Sequence, residues 1–373
     1  MGLELRRIVV YEVWMRLKSE FRTSFGSTLE RPALLVRVEE RGGEEGWGEV
    51  VAGEGPWYSY ETFQTAWHVI DSYLIPTLSK LGVYEPERVA RAFSRVRGHN
   101  MAKAGVEEAI WDLKARVEGR PLWEVLGGVR SKVESGVSIG IQRSVEDLLR
   151  VVAGFLERGY RRVKIKIEPG WDVGPARAVR REYPDVPLQV DANAAYSLAD
   201  MQVFRELDKL DLLMIEQPLH YDDLIDHAEL ARIISTPICL DESIKSVRDA
   251  AAAYKLGSAQ VINLKPGRVG GLVESLRIHG LWSSSLGRPL WVGGMLETGV
   301  GRGHLVALAT LPGVRYPNDI SASDRYYDED IVEPPWTLNK DGTITAPSKP
   351  GIGVEVLVER VERASRRTKE YRL

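Results

Sequence analysis

The sequence predicts an α/β fold in which a (β/α)8-type barrel, a modified TIM barrel, carries an α+β capping domain. The first observation is a series of short apolar runs, each followed by a polar group: Lys164 and Lys166, Asp191, Glu216, Asp241 and Lys265. Runs rich in Val, Ile and Leu are typical of strands buried on both faces. The second observation is the spacing, which is 25 residues from Lys166 to Asp191, to Glu216 and to Asp241, and 24 to Lys265. The third is that helix-like segments such as SLADMQVFRELDKL separate the runs, as in a barrel whose active site lies at the carboxyl ends of its strands.

The composition indicates a large globular chain. Its 373 residues are too many for one ordinary domain and fit a barrel plus an accessory domain. The formal charge is −3 without a basic block, so we expect neither nucleic acid nor an anionic membrane surface as a partner. The single Cys239 excludes an internal disulfide, and the first residues contain no apolar stretch long enough for a signal peptide or a membrane span. We therefore expect a cytoplasmic protein.

The N-terminal third predicts an antiparallel sheet followed by helices. Residues 4–18 and 33–40 read as strands, and a Gly-rich turn at 41–45 leads from the second into EGWGEV. Between the two strands, SEFRTSFGST is polar and carries two Phe residues, so it predicts a loop that is either plain or a lid. A second aromatic, Gly-rich loop is predicted at 51–62. Apolar residues then recur at helical spacing from 61 to 126.

The next part of the chain predicts eight barrel strands, at 133–141, 162–167, 187–191, 212–216, 237–241, 260–264, 289–293 and 314–318. After about residue 321 the chain becomes rich in Tyr, Asp and Pro and then contains short strand-like pieces with turns. We expect this tail to return and pack on the N-terminal domain. The predicted domain boundaries are therefore 1–130 for the capping domain, 131–322 for the barrel and 323–373 for the returning tail.

Three carboxylates at consecutive strand ends predict a metal site. Asp191, Glu216 and Asp241 have no His or Cys within three residues apart from Cys239, which we expect to be a buried strand residue. An all-oxygen set suits a hard divalent cation, Mg²⁺ or alternatively Mn²⁺. Three clustered carboxylates would also repel one another without a cation.

Three lysines predict acid–base chemistry at the same edge. Lys164 and Lys166 alternate with Ile165, so both side chains point to one face of their strand. Their proximity, together with a divalent cation, is expected to lower a lysine pKa toward neutrality. Lys265, three strands further round, is expected to face Lys166 across the barrel mouth. Two such bases can take a proton from one face of an α-carbon and return one to the other.

These motifs resemble the enolase superfamily in its muconate-lactonising branch, over nearly the whole chain. The resemblance rests on KIK at 164–166, DAN at 191–193, IEQP at 215–218, LDES at 240–243 and the later lysine. Within the branch, RTSFG at 22–26, HNMAKAGVEEAIWDLKAR at 99–116 and GGMLETGVGR at 293–302 are similar to the o-succinylbenzoate synthase / N-acylamino acid racemase family. Strand seven, PLWVGGM, lacks the His of the mandelate racemase branch.

The resemblance implies a role for each matching residue. Lys166 would remove the α-proton, Lys164 would neutralise the enolate oxygen, and Lys265 would be the second acid/base in racemisation or a cation against the ring in the synthase reaction. Mg²⁺ would be bound by Asp191, Glu216 and Asp241. Asn193 and Glu242 would orient the metal ligands without binding the metal themselves. Substrate-binding residues would be Phe21, Arg22, Thr23, Ser24, Phe25, Arg268, Gly293, Gly294, Met295 and Glu297.

The function that follows is Mg²⁺-dependent removal of an α-proton from a small-molecule carboxylate. It would serve o-succinylbenzoate synthesis in menaquinone biosynthesis, racemisation of N-succinyl or other N-acyl amino acids, or both, and Arg268 would modulate Lys265. A dipeptide epimerase or a muconate-type cycloisomerase would use the same lysines, and a non-catalytic binding module is a remote alternative. We also expect a homo-oligomer.

Overall fold

In the computed structural model, which describes residues 3–373, the chain opens with a long antiparallel hairpin of β1 (Leu5–Thr23) and β2 (Gly26–Glu40). The expected loop between 18 and 33 is therefore wrong, because both strands continue to a tight turn and pair Phe21 with Thr28. This outer ribbon is largely exposed and polar. The two strands pair through their backbones without burying a side-chain face. Their sequence therefore shows no alternation of apolar and polar residues from which strands could be predicted. The remaining elements of this part, which with β1 and β2 we call the cap, are β3 (Glu45–Val50), α1 (Phe63–Val69), a π-helical turn (Ile70–Leu74), α2 (Ile75–Leu78), α3 (Pro86–Phe93), α4 (Asn100–Val117) and α5 (Leu122–Val125).

The centre of the molecule is a curled parallel sheet of seven strands. Its strands follow one another in chain order across the sheet, as repeated strand–helix units require. After β4 (Lys132–Glu134), which lies outside this sheet, they are β5 (Val137–Ile139), β6 (Val163–Lys166), β7 (Leu188–Asp191), β8 (Met214–Glu216), β9 (Ile238–Leu240), β10 (Val261–Leu264) and β11 (Leu290–Val292).

Two details of the predicted barrel are wrong. The expected first strand at 133–141 is divided into β4 and β5, and the expected eighth strand at 314–318 is not a continuous strand. That segment makes only isolated bridges, from Val314 to Leu290 on one edge strand and from Asn318 to Ser135 near the other. Pro317 lies between these bridges and has no N–H group to donate. The segment therefore connects the two edges of the sheet without completing a ladder.

Helices follow the barrel strands, and several begin at a polar N-cap residue. Ser144, Ser246 and Thr298 each accept a backbone N–H at the first turn of their helix, which satisfies a donor that would otherwise be unpaired. The helices of this part are α6 (Val145–Glu157), α7 (Val173–Glu182), α8 (Met201–Leu207), α9 (Ile225–Leu230), α10 (Val247–Leu256), α11 (Pro266–Val269), α12 (Leu272–His279) and α13 (Gly299–Ala309), with short 3-10 or π turns at Leu198–Asp200, Asp208–Leu210, Gly280–Ser285 and Ser323–Arg325. Among residues 3–373, no helix combines the length and apolar character that crossing a bilayer requires.

The tail contacts both parts of the molecule. Its elements are β12 (Val332–Glu333), β13 (Thr343–Thr345), β14 (Glu355–Val356), α14 (Val358–Ala364) and β15 (Ser365–Arg372). β15 pairs with β1 of the cap, whereas β13 pairs with β4 beside the barrel. The boundaries 1–130, 131–322 and 323–373 stay a sequence-based prediction.

Buried carboxylates of the cap hold barrel helices by their N-termini. Glu107 of α4 accepts the backbone N–H groups of Leu272 and Val273, at 2.7 and 2.8 Å, in the first turn of α12. Glu49 of β3 accepts those of Thr298 and Gly301 at the start of α13. Carboxylates are favourable at helix N-termini because they meet unpaired donors and the positive end of the helix dipole. These contacts fix the position of the cap over the barrel mouth.

We expect Glu107→Ala to lower the free energy of unfolding by about 2–4 kcal/mol, because it leaves two buried N–H donors without an acceptor. Urea unfolding followed by circular dichroism measures the change. The matched control is Glu157→Ala, which removes an exposed glutamate of α6 and should change stability by less than about 0.5 kcal/mol. Equal losses in the two variants would contradict the role assigned to Glu107.

Candidate active site

The polar residues predicted at the strand ends meet at one mouth of the barrel. Lys166, Asp191 and Glu216 are register partners on β6, β7 and β8, so their side chains lie side by side at the carboxyl edge of the sheet. Asp241 and Lys265 directly follow β9 and β10. All of these side chains are buried. The strand–helix repeat thus places them together as predicted.

Each carboxylate of this group contacts a lysine. Asp191 Oδ2 accepts from Lys166 Nζ at 2.6 Å and lies 3.1 Å from Lys164 Nζ. Glu216 Oε2 accepts from Lys164 at 2.9 Å, and Asp241 Oδ2 accepts from Lys265 at 2.8 Å. We call these three carboxylates and three lysines the charge lattice. Buried charges are tolerated when they are paired in this way.

Four further residues support the charge lattice and were missed by the sequence analysis. Asp319 forms ion pairs with Lys164 and with the buried Arg162, both at 2.6 Å. Gln189 and Asn263 each donate to Glu216 at 2.6 Å. Tyr58, from the cap loop at 51–62, donates to Asp241 Oδ1 at 2.8 Å.

A sequence signal for three of these residues existed. Gln189 and Asn263 each precede a strand-end residue of the lattice by two positions, so they point to the same face of the strand. Asp319 follows the segment predicted as strand eight and is therefore in the same kind of strand-end position. Tyr58 had no comparable signal, because a loop has no period from which its direction can be predicted.

Asn193 and Glu242, the two residues predicted to orient the metal ligands, lie next to the charge lattice. Lys166 Nζ donates to Asn193 Oδ1 at 2.7 Å, and Asn193 Nδ2 donates to Glu242 Oε1 at 3.1 Å. Asn193 has a φ of 44°, a left-handed conformation that Asn tolerates better than most residues. Its backbone N–H thereby reaches Asp191 Oδ1 at 3.0 Å. Glu242 Oε2 is buried and has no partner within the described chain.

Two of the lysines, Lys164 and Lys265, have raised rather than lowered pKa values. Burial lowers the pKa of Lys164, but the charges of Asp319, Glu216 and Asp191 outweigh it and raise that pKa well above its ordinary value. Burial likewise acts against the charge of Lys265, and Asp241 and Tyr58 raise its pKa. The prediction considered a neighbouring lysine and a bound cation and did not include the carboxylates that contact Lys164 and Lys265.

Two carboxyl groups of the site have raised pKa values. Burial, followed by Asp191, raises the pKa of Glu216 to about 7. Burial and the charges of Asp241 and Asp191 raise the pKa of Glu242 to about 8. Over residues 3–373, no three His, Cys, Asp or Glu side chains are already gathered in a metal-ligating cluster, because lysines lie between the carboxylates. The all-oxygen donors, the repulsion among them and the unpartnered Glu242 oxygen nevertheless fit a hard divalent cation.

A cavity of about 490 Å³ lies above the lattice, between the cap and the barrel. Lys164, Lys166, Lys265 and Asn193 line its polar end. Of the ten predicted substrate-binding residues, five line the cavity: Phe21, Thr23, Phe25, Gly294 and Met295. A small carboxylate substrate in this cavity would meet three lysines at one end and aromatic side chains of the hairpin at the other.

The other five predicted substrate-binding residues lie behind the cavity wall or at its rim. Arg22 pairs with Glu168 at 2.9 Å, and Ser24 Oγ donates to the carbonyl of Ala192 at 3.2 Å, so both attach the hairpin tip to the barrel. Gly293 has no space for a Cβ, which would lie 2.0 Å from Asn263 Oδ1. The buried Glu297 accepts the N–H of Met295, and the buried Arg268 donates to Asp241 and to the carbonyl of Ile244.

Comparison with known proteins agrees with this geometry. The model described as "Mandelate racemase / muconate lactonizing enzyme, N-terminal domain" matches residues 5–127, and "Enolase C-terminal domain-like" matches 147–361. An o-succinylbenzoate synthase from Geobacillus stearothermophilus is 47% identical over 100% of this chain and 98% of its own. An N-succinylamino acid racemase from Thermus thermophilus is 49% identical, covering 98% of both. A crystal structure of an enolase superfamily member from Listeria innocua superposes with a TM-score of 0.95 at 39% identity, covering 99% of both chains. The chain is therefore an enzyme of the mandelate racemase / muconate lactonizing enzyme family within the enolase superfamily.

Proposed function

We propose that the protein removes the α-proton of a carboxylate substrate, as an o-succinylbenzoate synthase, as an N-succinyl or N-acylamino acid racemase, or as both. The observation that carries the proposal is that Lys166 and Lys265 line one cavity while each is held by a different strand-end carboxylate. Two amines so placed can serve the two faces of one carbon atom. Relatives of nearly equal similarity bear both names.

In this proposal Lys166 is the base for the α-proton. Its Nζ is oriented by Asp191 and Asn193, and orientation of this kind contributes to proton transfer by reducing the motion needed in the reaction. Lys164, a cation held by three carboxylates, neutralises the charge that develops on the substrate oxygen. Lys265 returns a proton to the other face in racemisation, and in the synthase reaction it faces the ring as a cation.

We further propose that Asp191, Glu216 and Asp241 hold Mg²⁺, with Mn²⁺ as an alternative and Glu242 beside them. A divalent cation bound here would supply positive charge to the substrate carboxylate and to the enediolate that forms on proton loss. The chain contributes the three oxygen ligands, and Gln189 and Asn263 orient Glu216 by donating to its two oxygens.

The synthase and the racemase share the first proton transfer, and Arg268 supports the ability to perform both. Its guanidinium donates to Asp241, the same carboxylate that holds Lys265. We infer that Arg268 acts through Asp241 on Lys265 rather than on the substrate.

A dipeptide epimerase or a cycloisomerase would use the same lysines, so a substrate panel distinguishes them. We also propose that the protein is a cytoplasmic homo-oligomer. The buried Cys239 is a free thiol, which fits a reducing compartment.

We expect Lys166→Ala to reduce α-proton exchange and synthase turnover by about 10³-fold, the scale of a lost general base. Proton NMR in D₂O with N-succinyl-L-phenylglycine, and an absorbance assay with the cyclohexadiene carboxylate precursor, measure the two activities. Lys255→Ala, which removes an exposed lysine of α10, is the control and should match the wild type. Full turnover by Lys166→Ala would overturn the mechanism.

We expect Mg²⁺ binding to release protons and to weaken as the pH falls from 8 to 6. The raised pKa of Glu216, about 7, means that this carboxyl is largely protonated below pH 7, and a cation must then displace its proton. Isothermal titration at pH 6, 7 and 8, in buffers of different ionisation enthalpy, gives both affinity and proton release. Glu216→Gln should lose the pH dependence along with most of the affinity. Binding of the wild type that is independent of pH and of buffer would contradict this assignment.

A further inference from the structure

The two lysines that flank the cavity are held by different parts of the molecule. Lys166 Nζ contacts Asp191 and Asn193, which both belong to the barrel. Lys265 Nζ contacts Asp241 of the barrel but also lies 3.3 Å from the hydroxyl of Tyr58 and 4.7 Å from the centre of its ring. Throughout residues 3–373, Tyr58 is the one cap residue that hydrogen-bonds to a lysine of the charge lattice.

Tyr58 restrains Lys265 in two ways. Its hydroxyl accepts from the ammonium group and donates to Asp241 Oδ1 at 2.8 Å, while Lys265 donates to Asp241 Oδ2. Lysine, phenol and carboxylate thus form a closed triangle. The ring centre, 4.7 Å from the ammonium nitrogen, adds cation–π attraction. Because a lysine side chain has four rotatable bonds, contacts with both Asp241 and Tyr58 greatly restrict where its nitrogen can lie.

The loop that carries Tyr58 is attached at its base and open at its tip. Glu61 accepts the N–H groups of Met101 and Ala102 at the start of α4, and Phe63 N–H donates to the carbonyl of Gly53. Trp57, next to Tyr58, is 69% exposed. The loop therefore extends from a fixed base on the cap to Lys265, and both Trp57 and Tyr58 line the cavity.

We propose that Tyr58 is a positioning residue for Lys265 and not for Lys166, so that the cap sets the geometry of only one of the two proton-transfer groups. This inference rests on the proposed function of the two lysines. Its consequence is an asymmetry between enantiomers. The enantiomer whose α-proton faces Lys265 depends on Tyr58 for proton loss, and the other depends on barrel residues alone.

Exchange of the α-proton with solvent distinguishes the two faces of the α-carbon, whereas the rate of racemisation does not. Racemisation in either direction passes through both lysines, so its two rates fall together. A lysine carries several exchangeable protons, so each can return a deuteron to the face from which it took a proton. Loss of the α-proton signal from substrate that has not been racemised therefore measures only the lysine that removes the proton.

The experiment follows α-proton loss from N-succinyl-L-phenylglycine and from its D-enantiomer in D₂O with Mg²⁺, at early times, for wild type and variants. Lys265→Ala identifies the enantiomer that Lys265 serves. We expect Tyr58→Phe, which keeps the ring and loses the hydroxyl, to slow exchange of that enantiomer by about tenfold and to leave the other within about twofold. Tyr58→Leu, which also loses the ring, should slow the same enantiomer further.

Tyr60→Phe is the matched control. It removes a hydroxyl from the same loop, but that hydroxyl accepts the backbone N–H of His99, so both exchange rates should stay at the wild-type level. Titration of Mg²⁺ into Tyr58→Phe without substrate checks Asp241 separately, and an affinity within about threefold of wild type is expected. Equal slowing of both enantiomers, or a loss of Mg²⁺ affinity that accounts for the slowing, would overturn the inference. No exchange of either enantiomer by the wild type would instead contradict the proposed function.

Discussion

The structure of the active site depends on mutual neutralisation of buried charges. Lys164 contacts three carboxylates, those of Asp191, Glu216 and Asp319. Asp241 pairs with both Lys265 and Arg268. Desolvating any one of these groups without its partners would be strongly unfavourable, and removing one partner of a buried pair typically costs about 3–5 kcal/mol. The side chains are therefore fixed in position before a substrate binds. Such preorganisation is what electrostatic catalysis requires.

The scaffold places these charges with few degrees of freedom. Parallel register sets Lys166 beside Asp191 and Asp191 beside Glu216, so strand pairing itself decides which charges touch. The cap is held by Glu107 and Glu49 at the N-termini of two barrel helices. The cavity wall then combines rigid strand ends with residues of the hairpin and of the loop at 51–62. Specificity can vary in those cap segments while the charges at the strand ends stay in place.

The parts of the fold and site that could be predicted are those whose residues recur at a regular spacing in the sequence. The 25-residue spacing located the strand ends, and alternation placed Lys164 and Lys166 on one face. Features without a period were missed: the outer hairpin is polar, the segment at 314–318 contains Pro317, and Tyr58 lies in a loop. The raised pKa values of Lys164 and Lys265 were not predicted, because they depend on three-dimensional distances to Asp319, Glu216 and Asp241 that spacing does not provide. Arg268 was predicted to bind substrate and to modulate Lys265; it contacts Asp241, the carboxylate that also holds Lys265.

The proposed reaction requires Lys166 and Lys265 to act on opposite faces of one α-carbon. A crystal structure with Mg²⁺ and an N-succinyl amino acid bound tests it most directly. We expect the two Nζ atoms to lie on opposite sides of the α-carbon, each within about 3.5 Å, the distance of a reacting pair. Both nitrogens on the same side of that carbon, or Lys265 turned away from it, would contradict the account.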